Sequence, residues 1–82
     1  MVMDKIKYQI IFRNMEEVDH FVTEVSGLSG DVNVYYGHQA FDGKSILALL
    51  NLELGKKYET ELLSDDEKMQ DVFRKIVTNF GG

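Results

Sequence analysis

A chain of 82 residues, 44% hydrophobic and 28% charged, has the composition of a folded domain but the length for only one. At this size only roughly 60% of the unfolded surface is buried, and a single core needs all of it. Acidic residues outnumber basic ones 14 to 9, for a net charge of -5, which argues against binding nucleic-acid phosphates or an anionic membrane surface. The absence of cysteine excludes disulfides, thiol nucleophiles and thiolate metal sites. Neither the opening Met1-Val2-Met3-Asp4-Lys5 nor any later stretch has the apolar run of a signal peptide or membrane span. The expectation is one cytoplasmic domain over residues 1–82, monomeric or weakly dimeric.

From Lys5 to Arg13 the apolar Ile6, Tyr8, Ile10 and Phe12 alternate with polar neighbours, apart from Ile11, and this period predicts a half-buried strand. Asn14 then precedes Glu17 by three positions, the spacing of a capping box, and predicts a helix from Met15 to about Gly27. Its apolar stripe is Met15, Val18, Val22 and Val25, widened by Phe21, and Gly27 and Gly30 close it. Val32, Val34 and Tyr36 alternate into a second strand, and beyond the Gly37-His38 turn Gln39 to Asp42 completes a hairpin.

The polar turn Asp42-Gly43-Lys44 runs into Ser45 and then Ile46-Leu47-Ala48-Leu49-Leu50. Ile46, Leu49 and Leu50 have the spacing of one helical stripe, and Ser45 stands where a hydroxyl caps the first turn. A phosphoryl group there would meet the positive end of the helix dipole with Lys44 adjacent. Leu47 falls off the stripe and Leu50 lies at its margin, so this short helix is apolar nearly all round, and these two leucines are candidates for a docking surface. After the Gly55-Lys56-Lys57 turn, Tyr58, Thr60 and Leu62 alternate with Glu59 and Glu61 in a fourth strand. Ser64-Asp65-Asp66-Glu67 forms a second capping box, opening a helix with Met69, Val72, Phe73, Ile76, Val77 and Phe80 on one face. The order βαββαβα predicts an α+β open-faced sandwich, a four-stranded antiparallel sheet covered on one face by three helices.

No catalytic constellation emerges. His20 and His38, the only histidines, share no ligand spacing with other residues, and Asp65, Asp66 and Glu67 are explained by capping and the helix dipole. Phosphate-binding glycine fingerprints and nucleophile elbows are also missing. Neither a metal, a cofactor nor an enzymatic reaction is expected.

Asp31-Val32-Asn33-Val34-Tyr35-Tyr36, followed by Lys44-Ser45-Ile46 and Leu52, resembles the second strand, regulatory-serine segment and following leucine of HPr. That family comprises the histidine-containing phosphocarrier proteins of the bacterial sugar phosphotransferase system. The resemblance extends from Asp31 to about Val77, and the order of elements agrees. It implies that Ser45 matches the serine that an ATP-dependent HPr kinase/phosphorylase modifies in Gram-positive members. The family's phosphoacceptor histidine lies in a Gly-x-His-Ala-Arg-Pro run at the start of the first helix. Here that region reads Phe12-Arg13-Asn14-Met15-Glu16-Glu17, with Asn14 at the histidine position, Glu16 at the arginine and Glu17 at the proline. An amide does not accept a phosphoryl group as an imidazole does, and two glutamates repel an anionic donor.

The chain is similar to HPr-like proteins that lack the histidine, keep the serine and act in regulation by docking on a transcriptional regulator. The resemblance thus implies a non-catalytic regulatory or binding module, switched at Ser45 and docking protein partners through Lys44, Leu47 and Leu50. The alternatives are a phosphocarrier with an atypical acceptor, or an HPr-fold domain with an unrelated ligand.

Overall fold

The computed structural model describes residues 6–81; the Lys5 end of the expected first strand and the opening five residues lie outside them. The elements are β1 (Lys7–Ile11), α1 (Met15–Val25), β2 (Asp31–Tyr36), β3 (Gln39–Asp42), α2 (Ile46–Leu49), β4 (Lys57–Leu63) and α3 (Glu67–Thr78). They build the α+β open-faced sandwich expected from their order, with a four-stranded sheet in the order β1-β4-β2-β3. Every pairing is antiparallel. β1 and β2 therefore run parallel to one another with β4 inserted between them, a split βαβ unit.

Alternation decides which face of the sheet is covered. Ile10, Phe12, Val32, Val34, Tyr58 and Leu62 are buried in one cluster with Val18, Phe21 and Val25 of α1, Leu49 of α2 and Phe73, Ile76 and Val77 of α3. Three rings from distant parts of the chain lock its centre. Phe21 meets Phe12 and Phe80 edge-on at centroid distances of 5.3 and 5.5 Å, and Phe12 meets Phe80 at 6.1 Å. Such edge-to-face pairs contribute about 0.5–1.5 kcal/mol beyond the area they bury.

The helices differ from expectation in detail. In α1 the stripe centres on Phe21, flanked by Val18 and Val25, while Met15 is 46% exposed. The helix stops at Val25 rather than Gly27, where the Ser26 hydroxyl donates back to the Val22 carbonyl. In α3 Val72 is 40% exposed, leaving Phe73, Ile76 and Val77 as the buried face. The cap of α3 is Asp66 rather than Ser64: its carboxylate accepts the N–H groups of Lys68 and Met69. Ser64 is diverted to the preceding turn, where its hydroxyl accepts the Asp66 N–H at 3.1 Å. The Gln70 amide donates to the carbonyls of Leu62 and Ser64 at 2.8 and 2.9 Å, holding that segment out of the helix.

The largest departure is Glu61. Its side chain lies on the helix-free face, as alternation requires, yet it is only 2% exposed. Register flanks it with Lys7 and Asn33, and the Tyr35 hydroxyl donates to Glu61 Oε1 at 2.7 Å while accepting Asn33 Nδ2 at 3.1 Å. Lys7 covers the Tyr35 ring at 4.7 Å. Burial, offset in part by the Asn33 bond and reinforced by Glu61, raises the Tyr35 phenol above its ordinary value.

Candidate functional site

The turn before α2 is shaped by three short contacts. Asp42 Oδ1 accepts the Lys44 N–H at 2.9 Å and the Asp42 carbonyl accepts the Ser45 N–H at 3.1 Å, an Asx-type turn that reverses the chain out of β3. The Gly43 N–H donates to the Val32 carbonyl at 2.7 Å. A Cβ at Gly43 would lie 2.6 Å from Val32 Cγ1, so the backbone can approach β2 this closely only with glycine.

Ser45 then has extended backbone angles, and its Oγ accepts the Ala48 N–H at 3.2 Å, making it the N-cap of α2 as the spacing predicts. The helix is a single turn. Leu49 is its anchor, 1% exposed, with Ile46 half-buried beside the core. Leu47 and Leu50, by contrast, are 75% and 50% exposed. The turn closes through Leu50 N–H to the Ile46 carbonyl and through backbone and side-chain N–H groups of Asn51 to the Ala48 carbonyl. Lys44 is positioned differently from the leucines: its ammonium donates to the Leu28 carbonyl at 2.6 Å, tying the start of α2 to the loop beyond α1.

The start of α1 lies at the same end of the molecule, because the Gly55 N–H beyond α2 donates to the Phe12 carbonyl at 2.7 Å. Asn14 Oδ1 accepts the Glu17 N–H at 2.9 Å, one arm of the expected capping box. The other arm is shifted by one residue: Glu17 Oε1 accepts the Arg13 N–H at 2.8 Å, and the Arg13 guanidinium stands 3.5 Å from the same oxygen. The Asn14 amide oxygen is thus engaged in capping, with Glu16 and Glu17 in the turn behind it. Arg13 also donates to the Gly81 carbonyl at 2.8 Å. This arrangement holds the start of the helix together through side-chain contacts.

The expected site residues therefore divide. Half-buried Ser45 and exposed Leu47 and Leu50 share one turn; Lys44 is turned inward to Leu28; Asn14 belongs to a neighbouring cap. His20 and His38 are both exposed. Reading the sequence does not reveal the Glu61-Tyr35-Asn33 chain or a cleft beside the β2–β3 hairpin, since both are assembled by cross-strand register. Among the described residues no helix is long and apolar enough to cross a membrane. No protein-family model matches this chain, and no curated protein matches it either.

Proposed function

We propose that this chain is a non-catalytic, HPr-like regulatory or binding module of the cytoplasm. In this reading it docks a protein partner through Leu47 and Leu50, with Ser45 as the phosphorylation switch. The observation that carries it is the exposure of two leucines on a one-turn helix that packs on the core through Leu49 and Ile46. Isolated exposed apolar residues are ordinary, but neighbouring ones on a rigid turn suit a docking patch. Ser45 borders this patch, so a phosphate there, carrying about -1.5 to -2 charges, would change the surface a partner meets. The resemblance to HPr names the partner class as an HPr kinase/phosphorylase or a transcriptional regulator. The Asn14 cap and its two glutamates support the loss of carrier activity.

Incubation with an HPr kinase and ATP, read by intact mass, tests the switch; the expected result is one phosphate, lost in Ser45→Ala. Pull-down with Ser45→Asp against wild type then reads charge-dependent docking, which Leu47→Ala should weaken. No phosphate, together with no partner that distinguishes the two proteins, returns Ser45 to a purely structural cap. Incubation with the general phosphotransferase enzyme and labelled phosphoenolpyruvate should leave the chain unlabelled, and an acid-labile phosphohistidine would overturn the non-carrier reading.

A further inference from the structure

Away from the α2 leucines, Tyr36 of β2, Gln39 and Phe41 of β3, Asn51 and Glu53 of the α2–β4 loop and Tyr58 of β4 enclose a cleft of about 360 Å³. Its size falls at the lower end of small-molecule sites. Tyr36 and Tyr58 meet edge to face at 5.5 Å. The Tyr58 hydroxyl donates to the Glu53 carbonyl and accepts the Glu53 N–H, both at 2.8 Å. This clamp fixes the loop and engages the phenol, and because Tyr58 is buried while Tyr36 is 49% exposed, the ring open to a guest is that of Tyr36. Asn51 uses its amide N–H on Ala48, leaving its oxygen available. The lining contains a carboxylate, two side-chain amides, three aromatic residues and the apolar Leu52, and no Lys, Arg or His.

A cation is already poised at the rim. Lys56 Nζ lies 3.0 Å from Glu53 Oε2 and 5.8 Å from the centre of the Tyr36 ring, within the range of a cation–π contact. The Glu53 hydrogen bond, more than any other cause, raises the Lys56 ammonium above its ordinary value. Carboxylate, ring face and tethered ammonium thus meet at one edge of the cleft.

We propose that this cleft binds a small organic cation, a primary alkylammonium of the lysine side-chain type, and that Lys56 is the tethered ion it displaces from Glu53 and Tyr36. The net charge of -5 raises the local concentration of such cations. The proposal is independent of Ser45 and of the leucines, and neither outcome of their tests bears on it.

The test is a titration of the full chain with cadaverine, followed by backbone amide chemical shifts, with neutral pentanediol in parallel. Cadaverine should shift the amides of Tyr36, Gln39, Phe41, Glu53 and Tyr58, and pentanediol should not. Removing the competitor with Lys56→Ala should tighten cadaverine binding, whereas Glu53→Gln and Tyr36→Leu should each weaken it by about two- to fivefold, the size of an exposed cation–π or ion-pair contribution. Shifts elsewhere in the spectrum establish that each variant is folded. Diffuse shifts over the acidic surface, equal shifts with pentanediol, or unchanged or weaker binding by Lys56→Ala would overturn the proposal.

Discussion

The starts of α1 and α2 use the same device to different ends. Each is capped by a short side-chain oxygen that accepts an N–H three residues on, from Asn14 to Glu17 at 2.9 Å and from Ser45 to Ala48 at 3.2 Å. Behind Asn14 stand two glutamates and eleven helical residues with three buried side chains. Behind Ser45 stand no acids and four helical residues with one. The long helix is held by packing, and its cap fine-tunes it; the short helix depends on one buried leucine, the half-buried Ile46 and one hydroxyl. The shorter element is therefore where a single added charge has the greatest leverage, and where apolar side chains can remain outside without endangering the core.

Core truncation sharpens the contrast most. Phe21→Ala removes a ring shared with Phe12 and Phe80 and is expected to cost about 3–5 kcal/mol, and Leu49→Ala about 2–5 kcal/mol. Chemical denaturation measures both. A Leu49→Ala loss below the range for a buried leucine would mean that α2 is not anchored where we place it. Next come the caps: Asn14→Ala and Ser45→Ala should each cost ~1 kcal/mol. Hydrogen exchange should show the Ser45 variant opening α2 alone, whereas Asn14→Ala leaves the middle of α1 protected. Exchange that rises equally along both helices would erase the distinction between them.

Charge gives a smaller, stabilising effect that differs in size between the two caps. Ser45→Asp keeps an accepting oxygen and adds a dipole interaction of roughly 0.3–1 kcal/mol, so thermal melts should show it as stable as wild type or slightly more so. Asn14→Asp adds its charge beside Glu16 and Glu17 and should gain less. The reverse ranking would show that the glutamates do not control the field at α1. The smallest effect is expected for Leu47→Ala and Leu50→Ala, within about 0.5 kcal/mol of wild type for exposed positions. Losses comparable to that of Leu49→Ala would place both side chains in the core and remove the docking patch.

What could be read in advance was local. The alternation of Val32 with Val34, the helical spacing of Phe73, Ile76 and Val77, and the cap at Ser45 each depend on neighbours within one turn or one pleat, so the element order and the covered sheet face were legible. The exposed Leu47 followed from a helix too apolar to hide every side. Misreadings arose where two local solutions competed or where distant residues decided. Ser64 and Asp66 are both able caps, and the Gln70 amide bound to the Leu62 and Ser64 carbonyls favours Asp66. Glu61 looks solvated until register places Lys7 and Asn33 on either side of it. The inward turn of Lys44 onto Leu28 spans sixteen positions, beyond the reach of any periodicity.

The place of β4 has a consequence for how the chain reaches this state. The penultimate element in sequence is an inner strand of the sheet, bonded to β1 on one side and β2 on the other. Until Lys57–Leu63 arrives, the β2–β3 hairpin is the only one of the strand pairings among the described residues that can form, and an isolated hairpin is marginal in water. Assembly therefore waits on the most non-local pairings, and a high separation of contacting residues slows folding. Amides of β4 should accordingly exchange only through global unfolding.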